Sequence, residues 1–289
     1  MEPTEEQRRI VASQARGLVV EAGAGAAKTT TLGLYAGARQ RTRILYLAFN
    51  KSIQLEAAAR MPANVTCRTT HSIAWRKAVE LFGKDAAQRV GKTYGSSVSR
   101  AFRCGPLAAS GALQAIQNWC GSLDDEITSA HVPAEIAERM ADPGTVVELA
   151  RATWERMCRR DGGELRMPHD GYLKLFQMDG PVLRGQDLIG VDEAQDLNLC
   201  TYDIVRRQAG GLLLVGDSAQ QIFTFRGSAN ALAMHPADER LQLTRSFRFG
   251  AGVAQMANAL LGHFKPENTL RIVGAGRAPT RLSVDTKRS

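Results

Sequence analysis

The passage of Gly17-Leu-Val-Val-Glu-Ala22 into a glycine-rich turn constrains this chain more than any other feature. A short strand empties into Gly23-Ala-Gly-Ala-Ala27, and Lys28-Thr-Thr30 opens a helix. A Gly-rich turn between strand and helix points backbone N–H groups at one spot, where the helix adds partial positive charge. Gly23, Ala24, Gly25, Ala26, Ala27, Lys28, Thr29 and Thr30 are therefore the candidate phosphate cradle. Lys28 is spaced to reach the β- and γ-phosphates, and the Thr29 hydroxyl to ligate Mg²⁺. The competing interpretation is an Ala/Gly-rich helix start with an exposed lysine. Ala22 and Ala27 stand where a strict phosphate loop asks for glycine. If Ala27 must take positive φ, its methyl group costs about 1–2 kcal/mol.

Strand and helix patterns alternate through the first third of the chain. Arg43–Phe49 reads as a second strand with a helix over Lys51–Arg60 behind it. Val65–Thr69 reads as a third strand, with a helix over His71–Phe82. Strand patterns resume at Asp187–Asp192, Gly211–Gly216 and Arg240–Thr244. This order predicts an α/β fold with a parallel, helix-covered sheet. Between them, residues 83–166 show no clear strand, and Ala108–Gly121 and Val146–Arg160 carry apolar residues at helical spacing. The expected organisation is an ATP-binding domain over 1–82 and 167–245, with a helical insertion over 83–166. Residues from about Gly274 read as a loop or tail.

The second chemical signal is Leu188-Ile-Gly-Val-Asp-Glu-Ala-Gln-Asp196, an apolar strand ending in adjacent carboxylates. Asp192 is placed to hold Mg²⁺, and Glu193 to orient and deprotonate an attacking water. A lone Asp-Glu pair is more often a solvated turn; the strand, the phosphate loop and Gln195-Asp196 together argue otherwise.

Composition narrows the rest. At 289 residues and 44% hydrophobic, the chain can build one large or two modest cores. No apolar run approaches the roughly 20 residues that span a membrane, and the acidic start lacks a signal-peptide pattern. The five cysteines are odd in number and not at zinc-site spacing, which suggests reduced thiols and a cytoplasmic protein. A net charge of +8 favours a polyanionic partner.

With these motifs in order, the chain resembles superfamily 1 DNA helicases of the UvrD/Rep type, in the branch that includes F-box DNA helicases. The resemblance runs from about Pro3 to Val273. It implies a RecA-like P-loop NTPase domain and a 3′→5′ motor that hydrolyses ATP with Mg²⁺ on single-stranded DNA. It also implies a role in repair or recombination, associated with the nucleoid. Thr4-Glu-Glu-Gln7 is similar to an adenine-reading motif, with Gln7 on the base. Leu47–Lys51 and Thr69–Ser72 are similar to motifs Ia and Ib, which puts Phe49, Asn50, Lys51, Thr70 and His71 on DNA. Val215–Gly227 resembles motif III: Gln220 would sense the γ-phosphate, Phe223 and Phe225 would lie beside bases, and Arg226 would contact the strand. Leu243–Arg248 resembles motif IV, with Arg248 reaching the γ-phosphate from a second RecA-like domain that would start near Ser246.

Motifs V and VI have no counterpart before Ser289. The expectation is a chain that lacks the helicase's C-terminal half and cannot unwind DNA unaided, unless that half or a second copy completes it. The alternative is a catalytically weak DNA-binding or regulatory remnant. An unrelated P-loop ATPase is disfavoured by the Asp-Glu-Ala-Gln-Asp run.

Overall fold

The computed structural model describes residues 2–140, 142–221, 230–266 and 268–276. Its centre is a six-stranded sheet of β1 (Gly17–Ala22), β2 (Ile44–Ala48), β3 (Val65–Thr69), β4 (Leu188–Val191), β5 (Gly211–Gly216) and β6 (Glu239–Leu243). The strands lie in the order β3-β2-β4-β5-β1-β6, and every pairing is parallel. Parallel strands covered on both faces read as near-continuous apolar runs, which is why β2, β4 and β5 were legible.

Period-two alternation divides these strands between two cores. Leu18, Val20, Ile44, Tyr46, Leu188, Leu213 and Val215 pack beneath α1 (Glu5–Ala12), α2 (Lys28–Gly37) and α3 (Lys51–Ala58). Val19, Leu45, Leu47, Ile189, Val191 and Leu214 face the other way. They meet Tyr202 and Val205 of a helix over Leu199–Arg206 and Leu232 of a short one over Ala231–Met234.

A third core is mainly helical, with Val90, Ile127, Val132, Leu165 and Met167 entering it from the segments between helices. It draws on α4 (Thr70–Phe82), α5 (Ala86–Arg89), α6 (Gly95–Phe102), α7 (Pro106–Gly121), α8 (Ala134–Ala137), α9 (Gly144–Cys158) and α10 (His169–Met178). Helices α7 and α9 cover the two periodic segments of the sequence. Their close approach depends on Gly111, where a Cβ would come within 2.7 Å of Ile136 and 3.0 Å of Val146. This core does not stop at 83 and 166: Ala74, Ala78 and Phe82 enter it from α4, and Tyr172, Leu173 and Phe176 from α10.

A buried polar network ties the helical core to the sheet domain through α11 (Leu199–Arg206). Lys174, fully buried, donates to the Ser122 carbonyl at 3.0 Å and to Gln177 Oε1 at 3.1 Å. Gln177 donates to Asp203 at 2.6 Å, and Asp203 pairs with Arg206 and Arg207. Burial lowers the pKa of Lys174.

After β6 and α12 (Ala231–Met234) the chain forms a small third unit. The short parallel pair β7 (Arg245–Ser246) and β8 (Val273–Gly274) lies against α13 (Ala251–Phe264), around Ala254, Leu270 and Ile272. No helix among the described residues is long and apolar enough to cross a membrane.

Candidate nucleotide-binding site

In a parallel sheet all carboxyl ends lie on one edge, and ligands gather there. Here that edge carries the Gly-rich turn after β1 and Asp192-Glu193 after β4, with β5 between them. Two strand spacings of about 4.8 Å put the turn and the carboxylates within reach of one ligand.

The turn has the backbone a phosphate cradle needs. Gly25 has φ 74°, and Ala27 adopts the left-handed conformation at φ 59°, ψ 43° immediately before α2. The condition set by the sequence is therefore met: Ala27 holds a geometry that favours glycine, at a cost of about 1–2 kcal/mol. Glu193 is also left-handed, at φ 53°, ψ 43°. Both strained non-glycine residues line the same cleft, and Lys28 Nζ lies 3.0 Å from Glu193 Oε2.

Asp192 is only 4% exposed. Burial raises its carboxyl pKa, and the neighbouring Glu193 charge adds to the rise. Hydrogen bonds oppose this. Asp192 Oδ2 accepts from the Tyr46 hydroxyl at 2.7 Å and the Thr29 hydroxyl at 3.1 Å, and Oδ1 accepts from the Glu193 N–H at 3.0 Å. A carboxylate and a hydroxyl side by side are hard oxygen donors suited to Mg²⁺. A cation there would also offset the buried negative charge, so the residues fit the ion.

An open cleft of about 500 Å³ is lined by Gly25, Ala26, Ala27, Lys28, Thr29, Thr30, Arg60, Glu193, Gln220, Phe247 and Arg248. It thus unites the phosphate loop with Glu193, Gln220 and Arg248, which are far apart in sequence. The segment after β6 is seated on the loop itself. Phe247 N–H donates to the Gly25 carbonyl at 3.0 Å. A Cβ on Gly25 would meet Arg248 Cβ at 2.6 Å and Ser246 Oγ at 2.8 Å. Gly23 and Ala24 lie at the start of the turn, and a Cβ on Gly23 would meet Leu270 at 3.1 Å.

Gln7 is placed differently from the base-reading role expected of it. It is buried, does not line the cleft, and closes the capping box of α1 by accepting from Thr4 N–H at 2.9 Å. Its amide nitrogen donates to Thr31 Oγ1 at 3.0 Å, and Thr31 donates in turn to the Ala27 carbonyl at 3.0 Å. In this conformation Gln7 braces the loop.

The turn after β5 is wired to the Asp192–Asp196 run. Gln195 donates to Glu193 Oε2 at 2.9 Å and accepts from Asp217 N–H at 3.0 Å. Asp217 accepts from Gln220 Nε2 at 2.5 Å. Glu21, its pKa raised by burial, holds the same turn by accepting from Ser218 N–H at 2.6 Å and Ser218 Oγ at 2.9 Å. Phe223, Phe225 and Arg226 lie outside the described residues.

The candidate DNA residues sit on the neighbouring carboxyl ends. Phe49 follows β2 and is 44% exposed. Asn50 caps α3 by accepting from Ile53 N–H at 2.9 Å, and Lys51 donates to Gln54 at 2.7 Å. His71, in the first turn of α4, lies 3.0 Å from Asp170 of α10. Phe49, Thr70 and His71 line a cavity of about 190 Å³ that Asp192 and Asp196 also border. Asp192 thus borders this cavity while its carboxylate accepts from Thr29, which lines the open cleft.

Sequence reasoning does not find Arg60, Tyr46 or Glu21, and it marks Gln195 only as part of the acidic run. Arg60 stands at the end of an expected helix, where an arginine carries no local signal of a site. Tyr46 carries a usable one, since a tyrosine inside a buried strand needs a partner for its hydroxyl.

A family model described as an AAA domain matches residues 7–226. F-box DNA helicase 1 of Gallus gallus is 34% identical to this chain over 95% of it, and the match covers 29% of that protein. F-box DNA helicase protein 1 of Schizosaccharomyces pombe is 30% identical over 92% of the chain, covering 33% of its own length. The chain spans about a third of the length of these curated relatives.

Proposed function

We propose, from the premise that this chain belongs to the AAA domain family and is the ATP-binding region of a superfamily 1 DNA helicase, that it binds ATP with Mg²⁺ at the Lys28–Glu193 cleft and hydrolyses it. The observation that carries the proposal is the cleft itself, which gathers Lys28, Thr29, Glu193, Gln220 and Arg248 from four separate segments.

The residues divide the work by geometry. The N–H groups of the Gly23–Thr30 turn and the Lys28 ammonium would bind the phosphate chain. Thr29 and Asp192 would hold Mg²⁺, which when bound neutralises charge on the β- and γ-phosphate oxygens. Without nucleotide, Lys28 is paired with Glu193 at 3.0 Å. Phosphate drawing Lys28 away frees Glu193 to orient the attacking water and accept its proton. Gln195 already holds Glu193 Oε2. It also touches Asp217, which holds Gln220, so the state of the γ-phosphate can pass to the motif-III turn. Arg248 and Arg60 would stabilise charge on the transferring phosphoryl group. Gln7, now spent on Thr4 and Thr31, would have to turn to read adenine.

The same proposal places single-stranded DNA over Phe49, Asn50, Lys51, Thr70 and His71, with Phe223, Phe225 and Arg226 of motif III beside the bases. Stacking on such aromatics contributes about 1–3 kcal/mol per base. Translocation 3′→5′, a role in DNA repair or recombination, and residues from Ser246 on as the start of a second RecA-like domain belong to this proposal.

Steady-state ATP hydrolysis with and without a single-stranded oligonucleotide tests it. The parent is expected to turn over and to be stimulated by the oligonucleotide. Glu193→Gln is expected to bind nucleotide yet lose turnover by about 10²–10⁴-fold. Hydrolysis by Glu193→Gln at the parental rate would remove Glu193 from the mechanism.

A further inference from the structure

We propose that Tyr46 is a positioning residue for the metal-binding carboxylate: its hydroxyl holds Asp192 in the orientation that receives Mg²⁺. The inference rests on the nucleotide–Mg²⁺ reading of the cleft and adds to it a residue that belongs to none of the helicase motifs.

Tyr46 lies in the middle of β2 and is 1% exposed. Its ring packs in the core beneath α2, among the residues that include Leu32, Tyr35 and Ala36. Packing alone would be served by phenylalanine, because a buried hydroxyl without an acceptor costs free energy. The strand register explains where the hydroxyl goes. Tyr46 pairs with Gly190 of β4, and Asp192 lies two residues further along, on the same face of the sheet. From that position the Tyr46 hydroxyl meets Asp192 Oδ2 at 2.7 Å.

Three donors hold Asp192: Tyr46 and Thr29 on Oδ2, and the Glu193 N–H on Oδ1. They are not equivalent once a cation arrives. Thr29 must then give a lone pair to the ion, so the ion sets the direction of the proton it still donates to Asp192. Tyr46 and the Glu193 N–H do not ligate the ion. The Glu193 amide belongs to the same turn as the carboxylate it holds, whereas Tyr46 is anchored in another strand. Of the two side-chain donors, Tyr46 is thus the one whose direction is the same with and without the ion, which lets it fix the plane of the carboxylate in both states. Outer-shell partners of this kind typically contribute 10–100-fold to metal affinity.

The test is Tyr46→Phe in the full chain, with Mn²⁺ binding followed by electron paramagnetic resonance in the presence of a non-hydrolysable ATP analogue. Mn²⁺ affinity is expected to fall about 10–100-fold. Binding of a fluorescent ATP analogue in EDTA is expected to stay at the parental value, and the thermal midpoint to fall slightly with the loss of a hydrogen bond to a buried carboxylate. A purely structural tyrosine would lower the midpoint in the same way but leave Mn²⁺ affinity unchanged, and that result overturns the proposal. Should Tyr46→Phe not fold, 3-fluorotyrosine at position 46 keeps the ring and makes the hydroxyl a stronger donor. Mn²⁺ affinity is then expected to change, and no change overturns the proposal. A parent chain that binds the analogue but no Mn²⁺ overturns the metal reading itself, a result distinguishable from an unaffected variant.

Discussion

The two edges of one parallel sheet use acidic residues in opposite ways. At the amino edge, Asp187 opens β4 and takes three hydrogen bonds from Arg43: the backbone N–H at 2.8 Å, Nε at 3.2 Å and Nη2 at 3.0 Å. These pull its pKa down to about 2. Asp238 similarly accepts from Gly17 N–H at 2.8 Å at the start of β1. At the carboxyl edge, Asp192 is buried with its pKa raised, beside a second carboxylate, and both Ala27 and Glu193 hold left-handed backbone. The amino edge satisfies its charges and closes the fold. The carboxyl edge retains strain and an under-neutralised charge, which is how a fold concentrates binding capacity in one place.

Asp192→Asn should sharpen that contrast most. The variant is expected to lose all Mg²⁺ dependence of nucleotide binding. Without nucleotide it should be more stable by about 0.5–2 kcal/mol, as removing a functional strain often is. The raised pKa sets the sign. Whatever Asp192 contributes is fully present below its unfolded pKa and lost as pH rises through the folded one. The gain in Asn should therefore shrink as the pH is lowered. Thermal melts from mildly acidic to neutral pH measure this, and a destabilised variant at neutral pH would break the comparison.

Ala27→Gly should have a smaller effect. Relief of about 1–2 kcal/mol of left-handed strain is partly offset by up to roughly 1 kcal/mol of added chain freedom in the unfolded state. The net expectation is a slight rise in the thermal midpoint. A fall in the midpoint would show that the Ala27 methyl makes contacts worth more than its strain.

Arg43→Ala should change least. Nucleotide affinity is expected to be unaffected. The stability that Asp187 contributes is present above the ordinary carboxylate range and is lost as pH falls through about 2. The variant should therefore differ from the parent mainly in losing that dependence, as acid titration of the folded fraction would show. Weakened nucleotide binding would mean the two edges are coupled through β2 and β4.

The fold was largely legible because parallel strands announce themselves. Val65–Thr69 and Gly211–Gly216 form strands with the bounds read from the sequence. The helical core spreads onto α4 and α10 because amphipathic helices bordering an insertion can bury one face in it. The candidate site was legible where chemistry repeats in local spacing, as at Lys28-Thr29 and Asp192-Glu193. What local spacing does not encode is pairing across the sheet. Tyr46 reaches Asp192 only through register, and Gln7 meets Thr31 only because α1 packs on α2.

The most direct test of the carboxyl edge as a nucleotide site is equilibrium binding of a fluorescent ATP analogue to the parent and to Lys28→Ala, with and without Mg²⁺. Lys28 is the only cation within ion-pair distance of Glu193 among the described residues. Magnesium-dependent binding by the parent, lost in Lys28→Ala while the thermal midpoint is retained, is the predicted result. Equal affinity in the two proteins would contradict the account.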